Sequence, residues 1–158
     1  MLLRLIAMLF WFAALCLPQV VPAERRVALV IGNTNYSGAG RLSNPVNDAR
    51  DLELVLRKLG FKVDLVLDAN KEQMIRARDT FAQEITKDSV AFFYYSGHGV
   101  QLDRENYLCP IDVQGTDADS SGLGRDLREE KAKNSSINAS ELQRFIERSG
   151  ARLNIMIL

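Results

Sequence analysis

The only histidine of the chain follows directly on a short apolar run that is typical of a buried β-strand. The strand is predicted over 89–95, and Ser96-Gly97-His98-Gly99 forms the turn after it. Strand ends in a parallel sheet are rigid, and the turns beyond them open into the crevice where ligands bind. The flanking glycines allow positive φ angles or the close approach of another segment. The sequence therefore indicates an α/β domain with His98 at a catalytic position; the alternative is a histidine that only satisfies a turn carbonyl.

The rest of the sequence predicts alternating strands and helices. Continuous apolar runs predict strands buried on both faces, and apolar residues at helical spacing predict helices with one core face. The predicted elements are, in order, a strand over 26–32, a helix from Asn44-Pro45 to Gly60, a strand over 61–67, a helix from Asn70 and Gln73 through about Thr86, a strand over 89–95, a hairpin over 101–108, a helix from Asn138 and Glu141 to Gly150, and a strand over 152–158. Residues 112–136 are polar and lack apolar periodicity, so we expect a long loop there.

This order of elements predicts a doubly wound α/β fold. Its sheet is expected to be mostly parallel, with helices on both faces in three layers, a central first strand and a small added hairpin. The carboxyl ends of the third and fourth strands would then open on the same edge of the sheet. A group just beyond Leu158 would lie beside His98.

Composition and charge exclude several kinds of partner. The chain has 158 residues, 47% of them hydrophobic, which is enough material for one α/β core. Its 20 basic and 20 acidic residues are balanced, without a long like-charged run, so we expect no nucleic-acid partner. The loop after the first strand has no phosphate-binding glycine pattern, which leaves a nucleotide site with little support.

The first 23 residues have the pattern of an export signal. A short basic start is followed by an almost wholly apolar stretch over 5–17, and small residues precede a cleavage site after Ala23. We therefore expect residues 1–23 to direct export to the periplasm or the exterior and to be removed. An uncleaved anchor is the alternative, and only in that case is a membrane a partner. Loss of Cys16 leaves one cysteine, Cys109, so neither an intrachain disulfide nor an ordinary zinc site is expected.

The sequence resembles the caspase-like family of cysteine peptidases, and more closely its bacterial metacaspase-like branch than the animal caspases. The resemblance runs from about Arg26 to Leu158. The residues that carry it are Val27–Gly32 with Asn33 and Tyr36, Leu42 with Asn47-Asp48-Ala49, Tyr95-Ser96-Gly97-His98-Gly99, Asn106-Tyr107-Leu108 with Pro110 and Asp112, and Ala151–Ile155. The Ser-Gly-His-Gly turn after an aromatic strand is the most specific of these motifs.

The resemblance implies a cysteine-type endopeptidase in which His98 is the general acid and base and the N–H of Gly99 helps to bind the oxyanion. In that family the nucleophilic cysteine follows the fourth strand, usually in an Asp-Ala-Cys sequence. The chain ends at Leu158, on that strand, so we expect residues 24–158 to be a C-terminally incomplete catalytic domain that is inactive alone. Cys109 is the available substitute, but nothing nearby in sequence would lower its pKa, and a small buried hydrophobe is the favoured interpretation.

Two acidic residues are candidates for substrate binding. The resemblance places Asp48 where metacaspases hold a substrate Arg or Lys, and Asp112 is a second candidate for the same pocket. Animal caspases instead use an Arg six residues before the Asp48 position, where this chain has Leu42. Basic substrates are therefore expected. The alternative is that Asp48 only stabilises exposed N–H groups in the first turn of its helix.

We expect no cofactor. Some members of the resembled family respond to calcium, and residues 117–122 copy the opening of an EF-hand loop. However, Arg128 stands where the bidentate glutamate would be, and a solvated polar loop is the favoured interpretation.

Three functions remain open. The first is the endopeptidase, acting on peptide or protein substrates. The second is a non-catalytic caspase-like module that binds a peptide or a partner through the same crevice. The third is a small-molecule enzyme on a flavodoxin-like sheet, for which no cofactor motif is present. The sequence makes no prediction of oligomeric state.

Overall fold

The computed structural model describes residues 24–37, 40–116 and 124–158. The predicted export signal over 1–23 and the calcium-like residues 117–122 lie outside these ranges, so those predictions stay open. Within the ranges, no helix combines the length and the apolar character that crossing a membrane requires.

The described elements alternate as the sequence predicts. They are β1 (Arg26–Gly32), α1 (Pro45–Lys58), β2 (Lys62–Leu67), α2 (Lys71–Glu84), β3 (Val90–Ser96), β4 (Gly99–Leu102), β5 (Glu105–Leu108), α3 (Arg125–Ser135), β6 (Ile137–Asn138), α4 (Ala139–Arg148) and β7 (Leu153–Ile157). Most boundaries agree with the prediction to within two residues.

The main sheet is parallel and has the strand order β2-β1-β3-β7. Helix α1 packs on one face, where Ala49 and Leu56 meet Val30 of β1. Helices α2 and α4 pack on the other face, where Phe81 and Leu142 join the same cluster as strand residues. The α/β fold with helices on both faces and β1 at the centre is therefore confirmed. The apolar runs of β1 and β3 are continuous because both of their faces are covered.

The predicted helix starts are confirmed at two of three positions by side-chain hydrogen bonds. Asn70 and Gln73 form a reciprocal capping box at α2, and the Asn138 side chain accepts from the N–H of Glu141 at α4. Asn44 precedes Pro45 at the start of α1, but its side chain makes no capping bond; instead its backbone carbonyl accepts from Asp48. Proline at the first helical position has no N–H to satisfy.

Residues 112–136 were expected to form a loop, and this prediction is wrong over 125–135, which form α3. Only Ala132 of this helix is buried, so its sequence has no apolar stripe from which a helix can be read. The hairpin is confirmed, but it gains a third strand, β6, which pairs antiparallel with β5. A strand of two residues is too short to produce a sequence pattern.

Strand β7 was expected to be buried, and it is not. It pairs with β3, and in the described part of the chain it forms an edge of the sheet. Leu153 and Ile157 are each 45% exposed as a result. The apolar run therefore predicted the strand but not its position at the edge of the sheet. A strand buried on both faces and a strand buried on one face can have similar short apolar runs.

Candidate active site

His98 lies in the turn between β3 and β4, partly exposed to solvent. Its Nε2 is 3.0 Å from the carbonyl oxygen of Gly40. Gly40 belongs to the segment after β1, which is residues 33–44. A carbonyl oxygen only accepts hydrogen bonds, so this contact requires Nε2 to carry the hydrogen. In the neutral ring, Nδ1 then keeps its lone pair and can act as an acceptor.

Two buried tyrosines hold the backbone of His98. The Tyr36 hydroxyl accepts from the His98 N–H at 2.7 Å, and the Tyr95 hydroxyl is 2.7 Å from the His98 carbonyl oxygen and 2.7 Å from that of Cys109. The two hydroxyls are 3.1 Å apart. Burial raises the pKa of Tyr36 and that of Tyr95, so both hydroxyls keep their hydrogens at neutral pH.

Gly97 is required by these hydroxyls. A Cβ at this position would lie 2.6 Å from the Tyr95 hydroxyl oxygen and closer still to that of Tyr36. Neither Gly97 nor Gly99 has a positive φ. Glycine is therefore needed at position 97 for the close approach of another segment and not for a positive φ angle.

The segment after β1 is organised by Asp68, which sequence reasoning missed. Asp68 follows β2 with φ 49°, and its Oδ1 accepts from the N–H of Thr34 at 2.8 Å and of Asn35 at 2.9 Å. Partial burial alone would raise the pKa of Asp68, but these N–H donors and the Asn35 amide outweigh it and hold the pKa below its ordinary value. An Asp directly after a strand tolerates the left-handed region, which is the only available sequence signal.

Cys109 lies next to His98 in space but is fully buried. Its N–H donates to the His98 carbonyl at 3.0 Å, and its side chain packs with Tyr36 and Val113. Burial raises the pKa of the Cys109 thiol. A thiol without solvent access and with a raised pKa is a poor nucleophile, so the structure supports the interpretation of Cys109 as a small buried hydrophobe.

A cavity of about 590 Å³ opens at the carboxyl edge of β3 and β7. The backbone of the turn forms part of its wall through Ser96, Gly97 and Gly99. The rest of the wall is mostly apolar and aromatic: Tyr94, Val100, Tyr107, Leu108, Ile157 and Leu158. Parallel strands place their carboxyl ends at the same edge, which is why the ends of β3 and β7 meet here.

The structure does not bring the predicted acidic residues to this cavity. Asp48 is exposed in the first turn of α1, and Asp112 accepts from the N–H of Lys71 at 3.0 Å, at the start of α2. Of the four predicted site residues, Gly99 is the one in the cavity wall, since the His98 ring points to Gly40 instead. The part played by Asp48 and Asp112 in substrate binding stays a prediction.

Among the described residues, no three His, Cys, Asp or Glu side chains cluster closely enough to hold a metal ion. The polar groups of the site are instead an imidazole, backbone N–H groups and tyrosine hydroxyls. This set can transfer a proton and can donate hydrogen bonds to a developing oxyanion.

Comparison with known proteins agrees with the motifs. The model of the caspase domain family, Peptidase_C14, matches residues 25–147. The human mucosa-associated lymphoid tissue lymphoma translocation protein 1 is 37% identical over 91 residues, which are 58% of this chain and 11% of that protein. Metacaspase-1 of Kluyveromyces lactis is 25% identical over 111 residues, or 57% of this chain and 26% of that protein. The chain thus spans about a quarter or less of these two relatives.

Similarity of fold extends to a solved structure. Protein GSU0716 from Geobacter sulfurreducens superposes with a TM-score of 0.60 over 84% of this chain and 48% of that one, at 18% sequence identity. The similarity supports the α/β sheet as the common frame. With the family model covering most of β1 to α4, the chain belongs to the caspase domain family of peptidases.

Proposed function

We propose that this domain is a cysteine-type endopeptidase domain with His98 as its general acid and base. The observation that carries the proposal is the position of His98. It follows β3 between two glycines that line the cavity, and its ring is held through Nε2 by the Gly40 carbonyl. A ring held in this way presents one defined nitrogen, Nδ1, for proton transfer. Membership of the caspase domain family supports the same chemistry.

The proposed reaction has two halves. A thiol gives its proton to Nδ1 of His98, and the thiolate attacks the substrate carbonyl carbon, so that the negative charge develops on the carbonyl oxygen. The N–H of Gly99 donates to that oxygen. The C–N bond then breaks, and Nδ1 returns its proton to the leaving amine. A water molecule then gives a proton to Nδ1 and attacks the acyl carbon. The C–S bond breaks, the acid product leaves, and the thiolate takes the proton back from Nδ1.

The nucleophilic thiol is proposed to come from residues that follow β7. Tyr94 pairs with Ile157 in the parallel register, so residues continuing past Leu158 in the same register would run alongside Ser96 and Gly97 toward the His98 turn. Cys109 does not fit this role, because it is buried and its pKa is raised. We therefore propose that the 158-residue chain is inactive alone.

The proposed substrates are peptides or proteins with Arg or Lys at the cleavage position. Asp48 is exposed near the start of α1, where a carboxylate remains available to a cationic side chain. Asp112 is the second proposed carboxylate. This chemistry needs no cofactor. We further propose export across the membrane, directed by residues 1–23.

Fluorogenic Arg and Lys peptides, with Asp peptides as the matched control, test the proposal. We expect no cleavage by the 158-residue chain. We expect cleavage when the coding sequence that follows codon 158 is included, with a loss of about a thousandfold in kcat/KM in His98→Ala. Asp48→Asn should reduce kcat/KM for Arg peptides by about tenfold or more. Cleavage by the 158-residue chain that disappears in Cys109→Ala contradicts the proposal.

A second candidate function is a non-catalytic module that binds peptides through the same cavity. The observation that favours it is the burial of Cys109, the only cysteine in the described ranges. Titration with unlabelled Arg peptides, followed through the signals of the single histidine, separates the two functions. Binding without cleavage by the extended protein supports the module, and cleavage supports the peptidase.

A further inference from the structure

Tyr36 and Tyr95 both contact the backbone of His98, and neither has a role in the chemistry above. We propose that these two tyrosines are positioning residues for His98, which orient its ring through the backbone and through the segment after β1. The inference rests on the proposed role of His98 as the acid and base, but its test does not depend on peptidase activity.

Hydrogen bonds hold the turn at both backbone polar groups of His98, its N–H and its carbonyl. The His98 N–H donates to Tyr36, and the His98 carbonyl lies within hydrogen-bond distance of both the Tyr95 hydroxyl and the Cys109 N–H. A residue held at both N–H and C=O has little freedom to rotate about its backbone. The direction of its Cα–Cβ bond, and hence the base of the imidazole, is thereby set.

Tyr36 also contacts the ring itself. The Tyr36 and His98 ring centroids are 4.6 Å apart with an interplanar angle of 60°, an edge-on arrangement that is typical of aromatic pairs. Tyr36 and Gly40, whose carbonyl binds Nε2, both belong to the segment after β1. One segment therefore supplies a ring contact, a backbone acceptor and the imidazole acceptor.

The segment after β1 is held in position by residues outside the His98 turn. Asp68 holds Thr34 and Asn35, and the Ser37 N–H donates to the Ile111 carbonyl at 3.0 Å. These contacts keep Tyr36 in place relative to β3. Tyr36 is 8% exposed and Tyr95 is 4% exposed, so water does not readily replace either hydroxyl.

The single histidine makes the proposal measurable in the 158-residue chain without substrate. Nitrogen-15 spectra of the imidazole report which nitrogen carries the hydrogen, and amide exchange reports on the His98 N–H. Tyr36→Phe and Tyr95→Phe remove the hydroxyls and keep the rings. Tyr94→Phe is the matched control, because Tyr94 lies on the same strand and has no hydrogen bond to His98 in the structure.

We expect the wild-type imidazole to be the Nε2–H tautomer. In Tyr36→Phe we expect a mixture of tautomers and about tenfold faster exchange of the His98 amide, the factor that corresponds to losing one hydrogen bond. Tyr95→Phe should shift the same imidazole signals, and Tyr94→Phe should leave them unchanged. No apolar residue at position 36 should restore the wild-type spectrum.

The proposal is overturned if the imidazole signals and the His98 amide exchange of Tyr36→Phe match those of the wild type, or if Tyr94→Phe changes them as much. Tyr36→Phe decides the question if Tyr95→Phe does not fold. Failure of the peptidase proposal leaves these spectra unaffected. A positioning role and an acid-base role are therefore tested separately.

Discussion

The His98 turn and the Cys109 segment lie side by side yet have opposite chemical properties. The Cys109 N–H donates to the His98 carbonyl, and the Tyr95 hydroxyl lies 2.7 Å from the carbonyl oxygens of both residues. His98 is partly exposed and bonded through its ring to a carbonyl, whereas Cys109 has 0% exposure. Proximity therefore does not make them a catalytic pair. Access to solvent and substrate decides which of two reactive side chains is available for chemistry.

A shared polar framework surrounds both residues. The same two tyrosine hydroxyls lie within hydrogen-bond distance of the Cys109 carbonyl and of the His98 backbone. On the His98 side this framework presents the ring at the surface. On the Cys109 side the hydroxyls bond the backbone carbonyl, and the side chain is buried in a cluster with Tyr36 and Val113. Three changes, beginning with the largest expected effect, perturb one side or the other, and a fourth pair of changes tests the predicted acidic residues.

Gly97→Ala removes the space in which the two tyrosine hydroxyls lie. We expect a loss of about 3 kcal/mol in the free energy of unfolding, because the new methyl group overlaps both oxygens and cannot be accommodated without moving the turn. Urea denaturation measures the loss. Gly124→Ala is the control, since a Cβ there meets no atom of the described residues within 4 Å. A loss at Gly97 as small as that at Gly124 contradicts the close-approach interpretation.

Asp68→Asn weakens the segment that supplies both contacts of the His98 ring. We expect a loss of about 1.5 kcal/mol at pH 7, at the low end for hydrogen bonds to a charged group because Asp68 is partly exposed. The folded-state pKa is lowered, so this stabilisation is present above the unfolded-state pKa of about 3.9 and is lost as the pH falls through the folded-state value.

Thermal unfolding of the wild type and Asp68→Asn between pH 7 and pH 2 tests this prediction. The difference in Tm should shrink steadily below about pH 4. The exposed Asp64 on β2, changed to Asn, serves as the control and should show no comparable trend. A Tm difference that is constant across this range would mean that the carboxylate of Asp68 is not what holds Thr34 and Asn35.

Cys109 should react slowly with thiol reagents in the folded protein. Burial and a raised pKa both suppress the thiolate, so modification should follow local or global opening and should accelerate in urea. Peptide mapping distinguishes Cys109 from Cys16. Cys109→Ala should cost about 1 kcal/mol through lost packing. Rapid labelling of Cys109 at neutral pH would mean that its thiol is accessible, as His98 is, and would contradict this prediction.

Asp112→Asn should have the smallest effect on stability, about 0.5 kcal/mol, because it weakens one charged contact at the start of α2 beside an intact capping box. Asp48→Asn should change stability by less than about 0.5 kcal/mol, as expected for an exposed position. Chemical denaturation of both variants measures the difference. A larger loss from Asp48→Asn would favour its structural interpretation over substrate binding.

The sequence predicted the main sheet well because its strands carry their own signal. Five consecutive apolar residues of β1 are buried, and their pattern is visible without knowledge of any contact. The caps at Asn70 and Asn138 are equally local, since each bonds a residue three positions away. Helix α3 was missed for the opposite reason: it is polar on nearly every side and has no stripe to read.

The candidate site was predicted only in part. His98 and Gly99 could be named as candidates because they lie in a short motif after a strand. The roles of Tyr36 and Asp68 could not, since the Tyr36 bond to His98 joins residues 62 positions apart and the Asp68 bonds span 33 or 34 positions. No local pattern encodes contacts of this kind.

The sequence by itself determined the strands of the main sheet, the starts of α1, α2 and α4, the turn that carries His98 and the family to which the chain belongs. Each of these depends on neighbours along the chain. The tertiary structure alone decided that the His98 ring is held by Gly40 and that Gly97 makes room for two hydroxyls, and it confirmed that Cys109 is enclosed. Burial and hydrogen bonding between distant segments are properties of packing, and they exist only after β1, β3 and the hairpin have come together.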